Sequence, residues 1–156
     1  MKPSDCQQSC DAHVMQTTPR CRMALKYAGE SLSRFGHSHM SGAHVVLGLL
    51  TLGNGIPYNL LSKAGLTLEL VEGYLSSRRT SVEGSATRDG VRLGRSALSA
   101  FERAEAEAQA RGHTYLGTDH LLLGILAEES GEAADLFASI HIDREKLRRI
   151  IEEEIQ

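Results

Sequence analysis

Sliding the chain along itself by 76 residues, with no gap, brings two sets of matching residues into register. Ala24 meets Ala100 and Ala28 meets Ala104. Gly36-His37 meets Gly112-His113, and His44 meets His120. Leu47-Gly48 meets Leu123-Gly124, Leu50 meets Leu126, Gly55 meets Gly131 and Leu60 meets Leu136. Conservative pairs lie between them: Leu25/Phe101, Met40/Leu116, Val45/Leu121, Leu66/Ile142, Val71/Leu147 and Leu75/Ile151. A register held over about 60 residues, keeping glycines, histidines and apolar positions together, is the mark of one unit used twice.

Each unit reads as four helices. Thr18-Pro19 is a helix start, with a hydroxyl at the N-cap and proline at the first helical position, where its missing N–H costs nothing. Cys21, Ala24, Leu25, Ala28 and Leu32 follow at helical spacing. Gly36 stops the helix. Val45–Leu52 is apolar all round and predicts a buried helix, broken by Asn54-Gly55. Pro57 opens a third helix ended by Gly65, and Thr67 caps a fourth carrying Val71 and Leu75. The second unit repeats this plan. Ser96–Arg111 is rich in strong helix formers, and Thr118-Asp119 starts the buried Leu121–Ala127 segment. Glu132–Ser139 follows, and Asp143 caps the last helix.

No segment sustains period-2 alternation, so the expected fold is all-α: two pseudo-symmetric four-helix repeats packed into one eight-helix domain. The expected division is a flexible leader over 1–17, repeat one over 18–77, a linker over 78–93 and repeat two over 94–156. The linker is polar and glycine-containing, and residues 78–90 are expected to be mobile or irregular.

Composition narrows the function. The formal net charge is −3, which does not suit a protein that grips bulk phosphate, and no Trp and 4% aromatics leave little for stacking bases. The charge is uneven, +3 over residues 1–80 and −6 over the rest. The N-terminus shows no secretory h-region, so a cytoplasmic location is expected. All three cysteines (Cys6, Cys10 and Cys21) fall in the first 21 residues, which is not a disulfide framework.

The segment Gly112 to Leu126, G-H-T-Y-L-G-T-D-H-L-L-L-G-I-L, resembles the signature of the Clp N-terminal repeat domain. The family writes it Gly-His-x-x-(Ile/Val)-Gly-Thr-Glu-His-Leu-Leu-Leu-Gly-Leu. Gly36 to Leu50 is a degenerate copy, and Thr18-Pro19-Arg20 is similar to the family's Thr-x-Arg-Ala opening. The resemblance spans about 18–156. It implies the double-repeat helical module at the front of Clp-type AAA+ unfoldases, which docks adaptors and substrate proteins and is not an enzyme. The partners it implies are a Clp-type unfoldase or Clp protease subunits, with adaptor or substrate proteins. No G-x-x-x-x-G-K-[ST] motif is present, no cofactor is expected, and the 17-residue leader favours a free-standing chain.

The resemblance also points to a site. In some bacterial members the acidic residue before the buried-helix histidine belongs to a pocket for phosphorylated arginine. A carboxylate can grip a guanidinium through paired hydrogen bonds, and helix N-terminal N–H groups can take phosphate oxygens. In this chain the matching residues are Thr118 and Asp119 in the second repeat, but Gly42 and Ala43 in the first. Any surviving site is therefore expected at Thr118 and Asp119, once per chain. The competing reading is that Asp119 simply complements the helix dipole.

Two groups of histidines and cysteines offer alternative sites. His44 and His120, with His37 and His113, fit structural rings that bond a loop carbonyl and lock the preceding turn, and they are not expected to converge on a metal. Cys6, Cys10 and His13 could supply zinc ligands, which makes a small metal or redox sensor the alternative function. Their spacing is not a common zinc pattern, and Cys21 stands at a core position. No nucleophile and base fall into an elbow or triad pattern.

Overall fold

The computed structural model describes residues 16–37, 39–77, 84–88, 91–128 and 132–154. Eight helices carry the described fold: α1 (Pro19–Phe35), α2 (Gly42–Thr51), α3 (Ile56–Lys63), α4 (Leu68–Ser76), α5 (Arg95–Ala110), α6 (Thr118–Ala127), α7 (Glu132–Ser139) and α8 (Arg144–Glu154). Four short strands accompany them: β1 (Gln16–Thr17), β2 (Gly84–Arg88), β3 (Val91–Gly94) and β4 (Tyr115–Leu116).

The helix ends are made by the residues expected to make them. The Cys21 N–H donates to Thr18 Oγ1 at 3.1 Å, and Pro19 fills the first position of α1. Gly36 takes a φ of 70°, and the His37 N–H closes back on the Leu32 carbonyl at 2.8 Å. In the second repeat Gly112 has a φ of 74°, and the His113 N–H meets the Ala108 carbonyl at 2.9 Å. Left-handed backbone is cheap only for glycine, so both first helices end at the same register. Thr67 and Asp143 cap α4 and α8 through the N–H groups of Leu70 and Lys146.

The buried helices α2 and α6 lie directly against the first helices. A Cβ on Gly48 would fall 2.1 Å from the Ala24 carbonyl oxygen, and one on Gly124 would fall 2.1 Å from that of Ala100. The backbones touch there, which explains why the repeat preserves both the glycines and the facing alanines. Around them a single cluster of buried side chains runs through both repeats, from Val46 and Leu49 to Leu122, Ile125 and Phe137.

The two repeats exchange edges. β1, just before α1, pairs in parallel with β4, just before α6, and the Thr18 N–H donates to the Leu116 carbonyl at 3.0 Å. The exchange is reciprocated, for Leu93 bridges Met40 and the Gly94 N–H donates to the Met40 carbonyl at 2.8 Å. The third helices cross as well: α3 packs on α6 and α8, while α7 packs on α2.

Part of the linker departs from expectation. β2 and β3 form an antiparallel hairpin with an irregularity between Gly84 and Ala86. β3 is tied to the first repeat through Met40, so its backbone finds hydrogen-bond partners and need not stay irregular. Residues 78–83 and 89–90 lie outside the described residues, as do residues 1–15 of the leader; its last two, Gln16–Thr17, are not flexible but form β1 because β4 supplies hydrogen-bond partners.

Candidate functional site

The expected site is at the first turn of α6. Gly117 is the N-cap, Thr118 opens the helix and is buried, and Asp119 is half-buried in the first turn. The β1–β4 pairing brings the start of α1 alongside, with Thr18 Cγ2 3.8 Å from where a Gly117 Cβ would lie. Burial raises the Asp119 carboxyl pKa above its usual value. The Arg20 guanidinium opposes that rise and Glu154 adds to it. The carboxylate therefore shares its surroundings with a cation from α1 and an anion from α8.

Arg20 is held in place. Its Nη2 donates to the Asn54 carbonyl at 2.7 Å. Gly55, at a φ of 100°, leaves the room, since a Cβ there would come within 2.7 Å of the same nitrogen. Tyr115 stands beside the site with 45% of its surface exposed. Its ring stacks on His113 at 5.4 Å and meets His120 edge-on at 5.6 Å.

The equivalent place in the first repeat is closed. Gly42 and Ala43 are buried, and a Cβ on Gly42 would fall 2.8 Å from the Ala133 Cβ of α7. Ser41 Oγ donates to Glu132 Oε2 at 3.2 Å, so α7 brings its own carboxylate to the start of α2. The missing carboxylate at Ala43 is thus accompanied by a plug that no sequence motif announced.

The four histidines form two pairs, one per repeat. His37 Nδ1 lies 2.7 Å from His44 Nε2, and His113 Nδ1 lies 2.8 Å from His120 Nε2. The locking role is as expected, but the bonded group is not. His44 Nδ1 accepts the Ser41 N–H at 2.8 Å, and His120 Nδ1 accepts the Gly117 N–H at 2.9 Å. The ring therefore caps the N–H of its own N-cap residue, as Glu or Gln does in a capping box. The carbonyl contact expected from sequence is replaced because the free backbone groups at a helix start are donors. Burial, then the neighbouring His37, holds the His44 pKa at about 3. Burial, then His113 and Arg111, holds His120 at about 4 against the pull of Glu107.

No group of three metal-ligating side chains occurs among the described residues. Cys21 is buried among core side chains, and Cys6, Cys10 and His13 lie outside the described residues. No helix among the described residues is long and apolar enough to cross a membrane.

Arg20 and Glu154 were not assigned to the site from sequence. Arg20 stood in the Thr-Pro-Arg opening, but nothing local connects α1 or the end of α8 with Asp119.

This double helical repeat is the architecture of a Clp N-terminal domain. The chain belongs to the Clp repeat (R) N-terminal domain family, whose pattern matches residues 16–140 and 108–156. It is 33% identical over 146 residues to a probable ATP-dependent Clp protease ATP-binding subunit of Chlamydia pneumoniae, covering 89% of this chain and 16% of that protein. It is 30% identical over 132 residues to the negative regulator of genetic competence ClpC/MecB of Bacillus subtilis, covering 85% of this chain and 16% of the relative. The chain thus spans about a sixth of these relatives' length. Among solved structures, the N-terminal domain of the chaperone ClpD from Arabidopsis thaliana shares the fold at a TM-score of 0.74 and 17% identity, covering 90% of this chain and 94% of that one. The Hsp104 N-terminal domain from Candida albicans follows at 0.69 and 16%, covering 87% and 89%.

Proposed function

We propose that the chain is a non-enzymatic protein-binding module of the Clp unfolding and degradation system, working in the cytoplasm. It docks adaptor or substrate proteins, or regulates the protease, for a Clp-type AAA+ unfoldase or Clp protease subunits. The docking site is the start of α6, with Thr118 and Asp119 as its recognition residues. The observation that carries the reading is the asymmetry between repeats. The helix start with a carboxylate keeps Asp119 half-buried rather than enclosed, and the one without is covered by α7. A half-buried carboxylate beside helix N–H groups suits a ligand that presents a guanidinium together with an anion, as a phosphoarginine side chain does.

Calorimetric titration with a phosphoarginine peptide tests this. One site per chain is expected, lost in Asp119→Ala. That substitution should change stability by no more than about 1 kcal/mol, since the lost helix-dipole partner is offset by relief of a buried charge. Two equivalent sites, or affinity unchanged in Asp119→Ala, would remove the assignment.

A further inference from the structure

The protons in the second histidine pair can be counted. His120 Nδ1 accepts the Gly117 N–H, so its own proton is on Nε2. That proton is donated to His113 Nδ1, so the His113 proton is on Nε2. Every position in the pair is thereby used. A further proton on His120 Nδ1 would displace the Gly117 N–H, and one on His113 Nδ1 would face the Nε2–H of His120. Charging His120 and keeping the α6 cap are mutually exclusive, whereas charging His113 breaks only the bond between the rings.

The surroundings decide which repeat responds. The first pair is sealed, with His44 at 0% exposure and His37 buried. In the second, His113 is half-exposed under the open face of Tyr115. The charged and titratable groups around the second pair are Glu107 and Arg111 of α5, Tyr115 of β4 and Asp119 of α6 itself. Glu107 and Arg111 are paired at 2.6 Å and backed by Arg148 and Glu152 of α8. From α1's start, the uncharged Thr18 comes within 3.8 Å of where a Gly117 Cβ would lie.

We propose that the His113–His120 pair is a proton-operated latch on the start of α6, releasing the Gly117 N–H when His120 takes up a proton. Closed, His120 resists the proton to about pH 4; released, it accepts one near its ordinary value of 6.5. Opening should therefore grow about tenfold per pH unit as pH falls from 6.5, reaching about 10²-fold near pH 4. The consequence for Thr118 and Asp119 rests on the docking reading above, but the latch does not, because its test uses no ligand.

The test is hydrogen exchange of the Gly117 amide in the whole chain between pH 7.5 and 4, corrected for intrinsic exchange chemistry. His120→Gln supplies the comparison, since its amide oxygen can accept the Gly117 N–H and its NH₂ can donate to His113, yet it does not titrate. The wild type should show the steep rise and His120→Gln a nearly flat profile. Imidazole ¹⁵N shifts of the wild type give a second reading that needs no variant. At pH 7.5 His120 should carry its proton on Nε2, and that state should change in step with Gly117 opening. A pH-independent Gly117 amide, an equally steep rise in His120→Gln, or a His120 protonated on Nδ1 at pH 7.5 would each overturn the proposal.

Discussion

The two repeats share a frame and differ at one surface. Both end the first helix on a left-handed glycine, press a glycine of the buried helix onto an alanine carbonyl, and cap that helix with a histidine. They part company at the start of the buried helix, where repeat one has Gly42-Ala43 under α7 and repeat two has Thr118-Asp119 facing Arg20. Positions that set helix-to-helix distance are held in both copies. At the start of the buried helix the two copies differ, and in repeat one the chain's own α7 fills the place.

The shared frame gives the largest expected effect. Gly48→Ala and Gly124→Ala each drive a methyl into backbone, which cannot rotate away, and each should cost about 3 kcal/mol or more. Denaturant midpoints of the two variants should fall together. A tolerated substitution in one repeat would show that its helix pair is not held as tightly as its counterpart.

The histidine caps come next. Their folded pKa values lie below the ordinary 6.5, at about 3 for His44 and about 4 for His120. The unfolded chain therefore binds protons that the folded chain refuses. Their contribution to stability is complete above pH 6.5 and is lost as pH falls toward 4 and then 3. The loss from His44 is on the order of 4 kcal/mol, with a smaller share from the less enclosed His120. Urea titrations at a series of pH values should show the decline, and His44→Gln should flatten it more than His120→Gln.

The closed site can be tested by importing the open one. Gly42→Thr places the second repeat's residue under α7, where its Cβ meets Ala133, and should cost about 1–3 kcal/mol. Ala133→Gly removes the obstructing methyl, so the double variant should regain part of that loss beyond additivity. Full additivity in thermal or denaturant unfolding would mean that α7 does not close this start in the way described.

These contrasts follow how much each feature depends on local sequence. The repeat, the glycine stops, the Thr18, Thr67 and Asp143 caps and the buried helices were legible because each is a short-range pattern with a known period. The strand exchange was not, since Gln16–Thr17 and Tyr115–Leu116 are two residues each and too short to show alternation. The β2–β3 hairpin hid inside a polar stretch, although Asp89-Gly90 between the strands is a hairpin dipeptide. For the site, Thr118 and Asp119 could be singled out because they stand beside a repeated histidine. Arg20 and Glu154 could not, because only tertiary packing brings the start of α1 and the end of α8 to the same carboxylate.

The smallest effect separates the repeats at the turn before their last helices. Gly65 there has a φ of 99°, and its counterpart His141, 76 positions on, is held at 58°. The turn closes identically in both, with the Leu66 N–H on Leu61 at 2.9 Å and the Ile142 N–H on Phe137 at 3.0 Å. Repeat two therefore keeps the conformation while carrying a side chain that disfavours it. His141 is exposed, and a Cβ at Gly65 meets nothing within 4 Å, so backbone strain is the main difference. His141→Gly should raise stability by roughly 0.5–1 kcal/mol, and Gly65→His should lower it by a similar amount. Equal and opposite shifts in the unfolding midpoint would show that the two turns are interchangeable. A loss of stability in His141→Gly would instead mean that the imidazole makes a contact that outweighs the strain of its backbone.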